Sequence, residues 1–308
     1  MKRKLLLVLP VLAALSFSTH KKISLSFNLQ VGKMYEIESV ADQVIMQSIS
    51  GQKLQLLQQF SFTYAMDVKQ RDTNGNLHMS VTYRRIRFIQ DNPIQGKVSY
   101  DSDRSDNEVN AIAKPFAALK GCSFTMQVSP LGQVNKVGGI ANMIDSMMLR
   151  MGTEENKKAM MREAFVKQFN EDALKESMEQ SLRFYPKKPV KVGGEWIQSI
   201  ATRMTIPMLI KSKYKLERVA NGIAYIKMKG QVSPNELASL QTDAGLTNQY
   251  ELSGSQTGDI EVEITTGRIM RSVLQQNLVG NFTISGAQMK EPMMIPMSIK
   301  STIVSEMK

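Results

Sequence analysis

Strict alternation of apolar and polar residues constrains this chain more than any other feature. In residues 77–83, Leu77, Met79, Val81 and Tyr83 alternate with His78, Ser80 and Thr82. Ile260, Val262 and Ile264 alternate with Glu261 and Glu263 in the same way. Successive side chains of a strand point to opposite faces, so this pattern predicts sheets with one face on a core and the other in water. Phe60, Phe62, Tyr64, Met66 and Val68 make a further row of this kind. Ile86 and Phe88 are out of phase with Leu77 to Tyr83, which predicts a bulge near Arg84 and Arg85.

Turn chemistry separates these rows. Asn74-Gly75 and Asn221-Gly222 tolerate the positive-φ positions of tight hairpins, and residues 129–132 and 265–267 form further turns. The middle of the chain is different in kind. Ile144, Met147, Met148 and Met151 recur at helical spacing, Thr153 is a candidate cap for a second helix from Glu154, and Asn170 for a third carrying Leu174, Met178 and Leu182. Residues 233–247 read as a loop with some helix, and Pro292 and Pro296 favour an edge position for the last strand.

The fold class predicted is mainly β with a helical insert, arranged as two related curved antiparallel sheets or half-barrels. The divisions are a signal peptide over residues 1–18, a first β unit over 24–139, a helical insert over 140–186 and a second β unit over 190–308. Three ordered correspondences suggest internal duplication. Val31-Gly32-Lys33-Met34-Tyr35 matches Val192-Gly193-Gly194-Glu195-Trp196, the Asn74-Gly75 hairpin matches that at Asn221-Gly222, and the turn at Gly132 matches that at Gly267.

Lys2, Arg3 and Lys4 precede an apolar run over residues 5–17, interrupted only by Pro10 and Ser16. That is too short for a membrane helix and has the form of a cleaved export signal, with Ala14 and Ser16 flanking a cleavage point. The expected location is periplasmic or extracellular, with no integral membrane segment after cleavage. The lone cysteine, Cys122, is far from the signal, so the chain is not expected to be a lipoprotein and has no internal disulfide. Net charge is +11, or +8 after subtracting the three basic residues of the signal. The basic residues are scattered and carry no nucleic-acid motif, so no nucleic acid is expected as partner.

Catalytic and metal constellations are not recognisable. His20 lies beside the signal and His78 on the polar face of a strand. Asp101, Asp103, Asp106 and Glu108 lack the spacing of a calcium loop, and Asp259, Glu261 and Glu263 follow simple strand alternation. No Gly-x-Ser-x-Gly elbow and no phosphate-cradling loop occurs. No cofactor is expected.

The segments Val192-Gly193-Gly194-Glu195-Trp196, 216–222, 258–262 and 265–268 resemble those of an uncharacterised family of secreted proteins from Bacteroidota. The resemblance implies export and β architecture, and supplies no catalytic residue.

Methionine is abundant, at 22 residues, and clusters in the helical insert. Flexible thioethers suit irregular apolar surfaces. The leading expectation is therefore a non-enzymatic binding protein for a lipid, an apolar small molecule, a peptide or an envelope protein. Met147, Met148, Phe165, Phe169 and Met178 are its candidate lining residues, with core packing the competing role for each. A structural or assembly protein of the envelope and a hydrolase of envelope polymers are the alternatives.

Overall fold

A computed structural model describes residues 22–49, 51–94, 96–104, 112–152, 154–203, 206–236, 240–243 and 245–308. The predicted signal, His20, Asp106, Glu108, Thr153 and Met204 lie outside these residues.

The strands, in chain order, are β1 (Met34–Ile49), β2 (Gln52–Arg71), β3 (Leu77–Asn92), β4 (Gly96–Asp101), β5 (Ser123–Val128), β6 (Val134–Gly138), β7 (Glu195–Thr202), β8 (Met208–Ala220), β9 (Ile223–Pro234), β10 (Leu240–Asp243), β11 (Leu246–Glu263), β12 (Ile269–Gly286) and β13 (Met293–Met307). The helices are α1 (Lys114–Leu119), α2 (Ile140–Arg150), α3 (Glu155–Gln168) and α4 (Glu171–Leu182). All these strands join one 13-stranded antiparallel sheet, in the order β6-β5-β3-β2-β1-β13-β12-β11-β9-β8-β7, with β4 beside β3 and β10 beside β11. The two sheets expected from the sequence are thus one. The C-terminal strand β13 welds them, pairing with β1 from Ile37↔Met307 to Gln47↔Met297 and with β12 on its other side.

That central place corrects the expected edge position of β13. Pro296 is tolerated because the β1 pairing stops at Met297, so the proline faces only β12 and its missing N–H removes no bond on the β1 side. The expected loop and helix over 233–247 is also corrected. Its described residues begin with the end of β9 and residues 235–236 and then enter the hairpin of β10 and β11, with Asp243 paired to Leu246. The bulge falls as expected. Thr63 pairs with Arg85 and Tyr64 with Tyr83, so Arg84 is the extra residue that shifts the apolar phase.

Burial alternates along β8 and β9. On β8, Met208, Ile210, Ser212, Tyr214 and Leu216 are buried while Leu209, Lys211 and Lys213 are exposed. The buried phase meets α1, α2 and α4. Helix α4 is capped by Asn170, whose side chain accepts from the Ala173 amide at 2.8 Å. It packs on both terminal strands of the sheet path, β6 and β7, so the sheet is curled with its ends on one helix. Glu179 of α4 fixes that docking by accepting from the Val134 amide of β6 at 3.0 Å.

Two extended segments close one end of the curl. Ile23, at the start of the segment 23–30, forms an antiparallel bridge with Val190. The Phe27 amide donates to the Pro130 carbonyl in the β5–β6 turn at 2.8 Å, and the Asn28 amide to Thr266 in the β11–β12 turn at 2.8 Å. Tyr185, fully buried, donates its hydroxyl to the Gly267 carbonyl at 2.6 Å.

Asp101 at the end of β4 lies 2.8 Å from Arg85 and 3.2 Å from Arg87. The Arg85 hydrogen bond holds its carboxyl below the usual carboxylate value, against the opposing effect of burial. A depressed folded value contributes stability above the unfolded pKa of about 3.9, lost as pH falls through the lower folded value. Asp101→Asn should lower the thermal midpoint at neutral pH and leave it unchanged at about pH 2. An equal loss at both pH values would show that the charge contributes nothing.

Candidate functional site

The central strands carry small side chains where they face α4. Side chains of directly paired residues share a face, so Ser39 of β1, Ser305 of β13 and Ser272 of β12 form one row. In the next row Ala41 and Gly258 are the small members, with the larger Ile303 and Leu274 between them. Larger side chains stand up around the gap: Phe62 at the end of the first row with Tyr64 beside it on β2, and Met228 and Tyr214 beyond Gly258 on β9 and β8. The result is a cavity of ≈ 350 Å³ between the sheet and α4. Met178 and the buried Leu182 of α4 complete its wall, and the exposed Ser177, Gln180 and Ser181 border it.

One row of this face is polar. Gln90, Gln58, Gln43, Ser301, Gln276, Gln256, Gly230, Ser212 and Gln198 are successive partners from β3 to β7. Ser212, Gln256 and Gln276 line the cavity. Gln256 donates to Ser212 Oγ at 2.9 Å and accepts from Gln276 at 3.3 Å. Gln43 donates to Ser301 at 3.3 Å, and Gln198 to the Tyr185 carbonyl at 2.7 Å.

Formal charge is nearly absent. Among the described residues of the lining, Glu306 is the single charged one, and it pairs with Arg271 at 3.3 Å. Burial, with a smaller contribution from Tyr83, lifts the Tyr64 phenol well above its ordinary pKa, and burial also raises Tyr214. Both phenols therefore stay neutral. A broader hollow of ≈ 570 Å³, bordered by Asp42, Gln59, Asp91, Lys97 and Lys300, belongs chiefly to the opposite face. There Gln59 donates to Asp42 at 2.6 Å.

Of the five lining residues expected from the sequence, Met178 stands on the cavity wall. Met147, Met148 and Phe165 are buried in the main core, and Phe169 packs against it with its ring 6.0 Å from that of Phe165. The structure does not bring the five together. Most of the wall comes from strands, whereas all five of those residues belong to the helical insert. A signal for it existed. In β11, Gln256 falls in phase with Leu252, Ile260 and Val262, so a polar residue occupies a core-facing position.

The remaining chemistry-bearing residues are engaged structurally. Cys122 is buried, its thiol 3.2 Å from the Ala118 carbonyl and pushed up in pKa by burial. His78 Nε2 lies 3.1 Å from Gln127 and 3.6 Å from Asp72. Asp103 pairs with Lys120 at 2.9 Å, and Asp259 with Lys227 at 2.8 Å. Among the described residues, no three of His, Cys, Asp and Glu are grouped so that they could hold a metal. Among the same residues, no helix is long and apolar enough to cross a membrane.

Comparison with solved structures finds lipovitellin, at 9% identity and a TM-score of 0.50, with 91% of this chain matched. The chain spans 25% of the lipovitellin chain, and the likeness is one of fold. The translocator domain of the autotransporter NalP from Neisseria meningitidis matches at 5% identity and a TM-score of 0.23, over 91% of this chain and 90% of that one. A DUF1329 family protein from Desulfovibrio piger matches at 8% identity and a TM-score of 0.14, over 88% and 83% of the two chains. No curated protein matches the chain. The model of one protein family matches residues 74–269, from the β2–β3 hairpin to the first residue of β12, and the chain belongs to that family, the family of unknown function DUF6263.

Proposed function

We propose that the protein is an exported, non-enzymatic binding protein that holds one molecule with an apolar chain in the cavity beside α4. The observation that carries this reading is a hollow of ≈ 350 Å³ within the apolar face of the sheet, with Glu306, paired to Arg271, as the charged residue among its described lining. Its size lies at the lower end of the range for small-molecule sites, and its walls combine apolar side chains with a few convergent polar groups. Export rests on the basic start at Lys2, Arg3 and Lys4 and the apolar run behind it, and agrees with the resemblance to secreted proteins of Bacteroidota. Lipovitellin, whose structure is described for its lipid–protein interactions, shares the fold and supports a lipid as the class of ligand.

The single sheet is read as two related halves. In the first, β1-β2-β3 and β5-β6 are neighbours with β4 aside; in the second, β7-β8-β9 and β11-β12 are neighbours with β10 aside. The cavity then lies over the junction, where β1 of one half meets β13. Duplication provides two curved walls, and their union provides the hollow.

Native mass spectrometry on protein purified from its own envelope tests the reading. A reproducible bound mass is expected, together with uptake of the neutral dye N-phenylnaphthylamine. Ala41→Phe places a ring in the hollow and should weaken dye binding by at least about tenfold while the protein stays folded. A protein that carries no bound mass and takes up no dye would overturn the proposal.

A further inference from the structure

We propose that the glutamine and serine row selects the ligand, and that the site takes neutral amphiphiles in which an ester, amide or hydroxyl group is joined to an apolar chain. This rests on the cavity reading above and adds the ligand class to it.

The row divides the apolar face. On one side lies the main core, with Met228 and Tyr214 at the boundary. On the other lies a smaller apolar cluster of Met208, Ile210, Val232, Leu252, Leu278 and Ile299. Leucine along this line would join the two clusters and keep every backbone bond of the sheet. Glutamine instead brings amide dipoles into a half-dry surface, where each must find partners.

The row is also built as a connected unit. A Cβ at Gly230 would lie 2.7 Å from the Cγ of Gln256 and 2.9 Å from the Oγ of Ser212. Glycine on β9 therefore lets the Gln256 side chain lie across that strand and reach Ser212 on β8. The chain of donors continues to Gln276 on β12. Each glutamine offers two donor hydrogens and a carbonyl with two lone pairs, more than these internal bonds use. Both Gln256 and Gln276 line the cavity, so a ligand there lies beside amides with bonding capacity to spare.

Charge decides between ligand classes. Among the described lining residues a carboxylate would find no cation, and an ammonium group would find only Glu306, already paired with Arg271, while Tyr64 and Tyr214 stay neutral. An unpaired buried charge costs far more than a hydrogen-bonded neutral group. A pure hydrocarbon would offer the amides of the row no hydrogen-bond partner. An uncharged group able to donate or accept, on an apolar chain, satisfies both conditions.

The test uses the mature chain and three ligands of equal chain length, a monoacylglycerol, a free fatty acid and an n-alkane, each competing with N-phenylnaphthylamine at neutral pH. The monoacylglycerol is expected to bind at least about tenfold tighter than either of the others. Gln256→Leu combined with Gln276→Leu should keep the fold, judged by circular dichroism, and remove that preference. Equal binding of monoacylglycerol and alkane, a preference for the fatty acid, or a preference intact in the double variant would each overturn the proposal. The order of affinities in the unaltered protein decides the matter even where the variant fails to fold. Failure of every ligand and of the dye to bind would instead remove the cavity reading itself.

Discussion

Gly267→Ala is expected to destabilise the protein by about 3–5 kcal/mol, and Gly132→Ala by a similar amount. Both glycines have positive φ, +68° and +77°, which alone disfavours any residue with a Cβ. The larger effect is contact. A Cβ at Gly267 would lie 1.8 Å from the carbonyl oxygen of Ser26, and one at Gly132 1.8 Å from that of Leu182. Both neighbours are backbone, Ser26 in the segment that closes the end of the curl and Leu182 at the C-terminal end of α4, so relief requires those elements to move away. Gly222→Ala is the internal control, since it has φ +75° but nothing within 4 Å of the added carbon. Chemical denaturation of the three variants separates the two causes. If Gly267→Ala costs no more than Gly222→Ala, close packing of these turns contributes nothing.

The second large effect is expected at Phe27. Its side chain is fully buried, with its ring 6.2 Å from that of Tyr185. Phe27→Ala should cost about 3–5 kcal/mol through lost burial and the cavity left behind. Tyr185→Phe should cost about 1–3 kcal/mol, because it strands the buried Gly267 carbonyl that now accepts at 2.6 Å. Phe27 and Gly267 belong to one contact region, so the losses from Phe27→Ala and Gly267→Ala should combine to less than their sum. Strict additivity, or a loss below about 1 kcal/mol for Phe27→Ala, would show that residues 23–30 are an ornament on the sheet and not part of its closure.

These segments illustrate how unevenly the fold was legible. Leu25, Phe27 and Leu29 announce their buried face by alternation, and all three are buried. Nothing in that alternation indicates that Phe27 touches the turn at Pro130 and its neighbour Asn28 the turn at Thr266. The cap at Asn170, the bulge at Arg84 and the hairpin turns at Gly75 and Gly222 were legible for a common reason. Each depends on bonds or backbone angles within a few residues. Pro296 misled because proline reports only on its own missing N–H. It could not show that β1 stops pairing one residue before it.

The site was less legible than the fold. Methionine in the helical insert drew attention to α2 and α3, yet Met147 and Met148 are core residues and the hollow is walled mainly by strands. Small residues such as Ser39, Ala41 and Gly258 leave space only because the sheet curls and α4 spans its ends. Single glutamines at core-phase positions look like local exceptions when read along one strand.

By itself, then, the sequence determined the elements: which residues alternate, where the chain turns, and where helices begin. Periodicity and turn preference act between residues close along the chain, so they are written in its local order. Tertiary structure alone decided that β1 and β13 pair across the whole length of the chain, that two predicted sheets are one, and that isolated glutamines form a continuous line. Register between distant strands sets those outcomes, because strand pairing depends on which rows of side chains can share a face, not on distance along the chain.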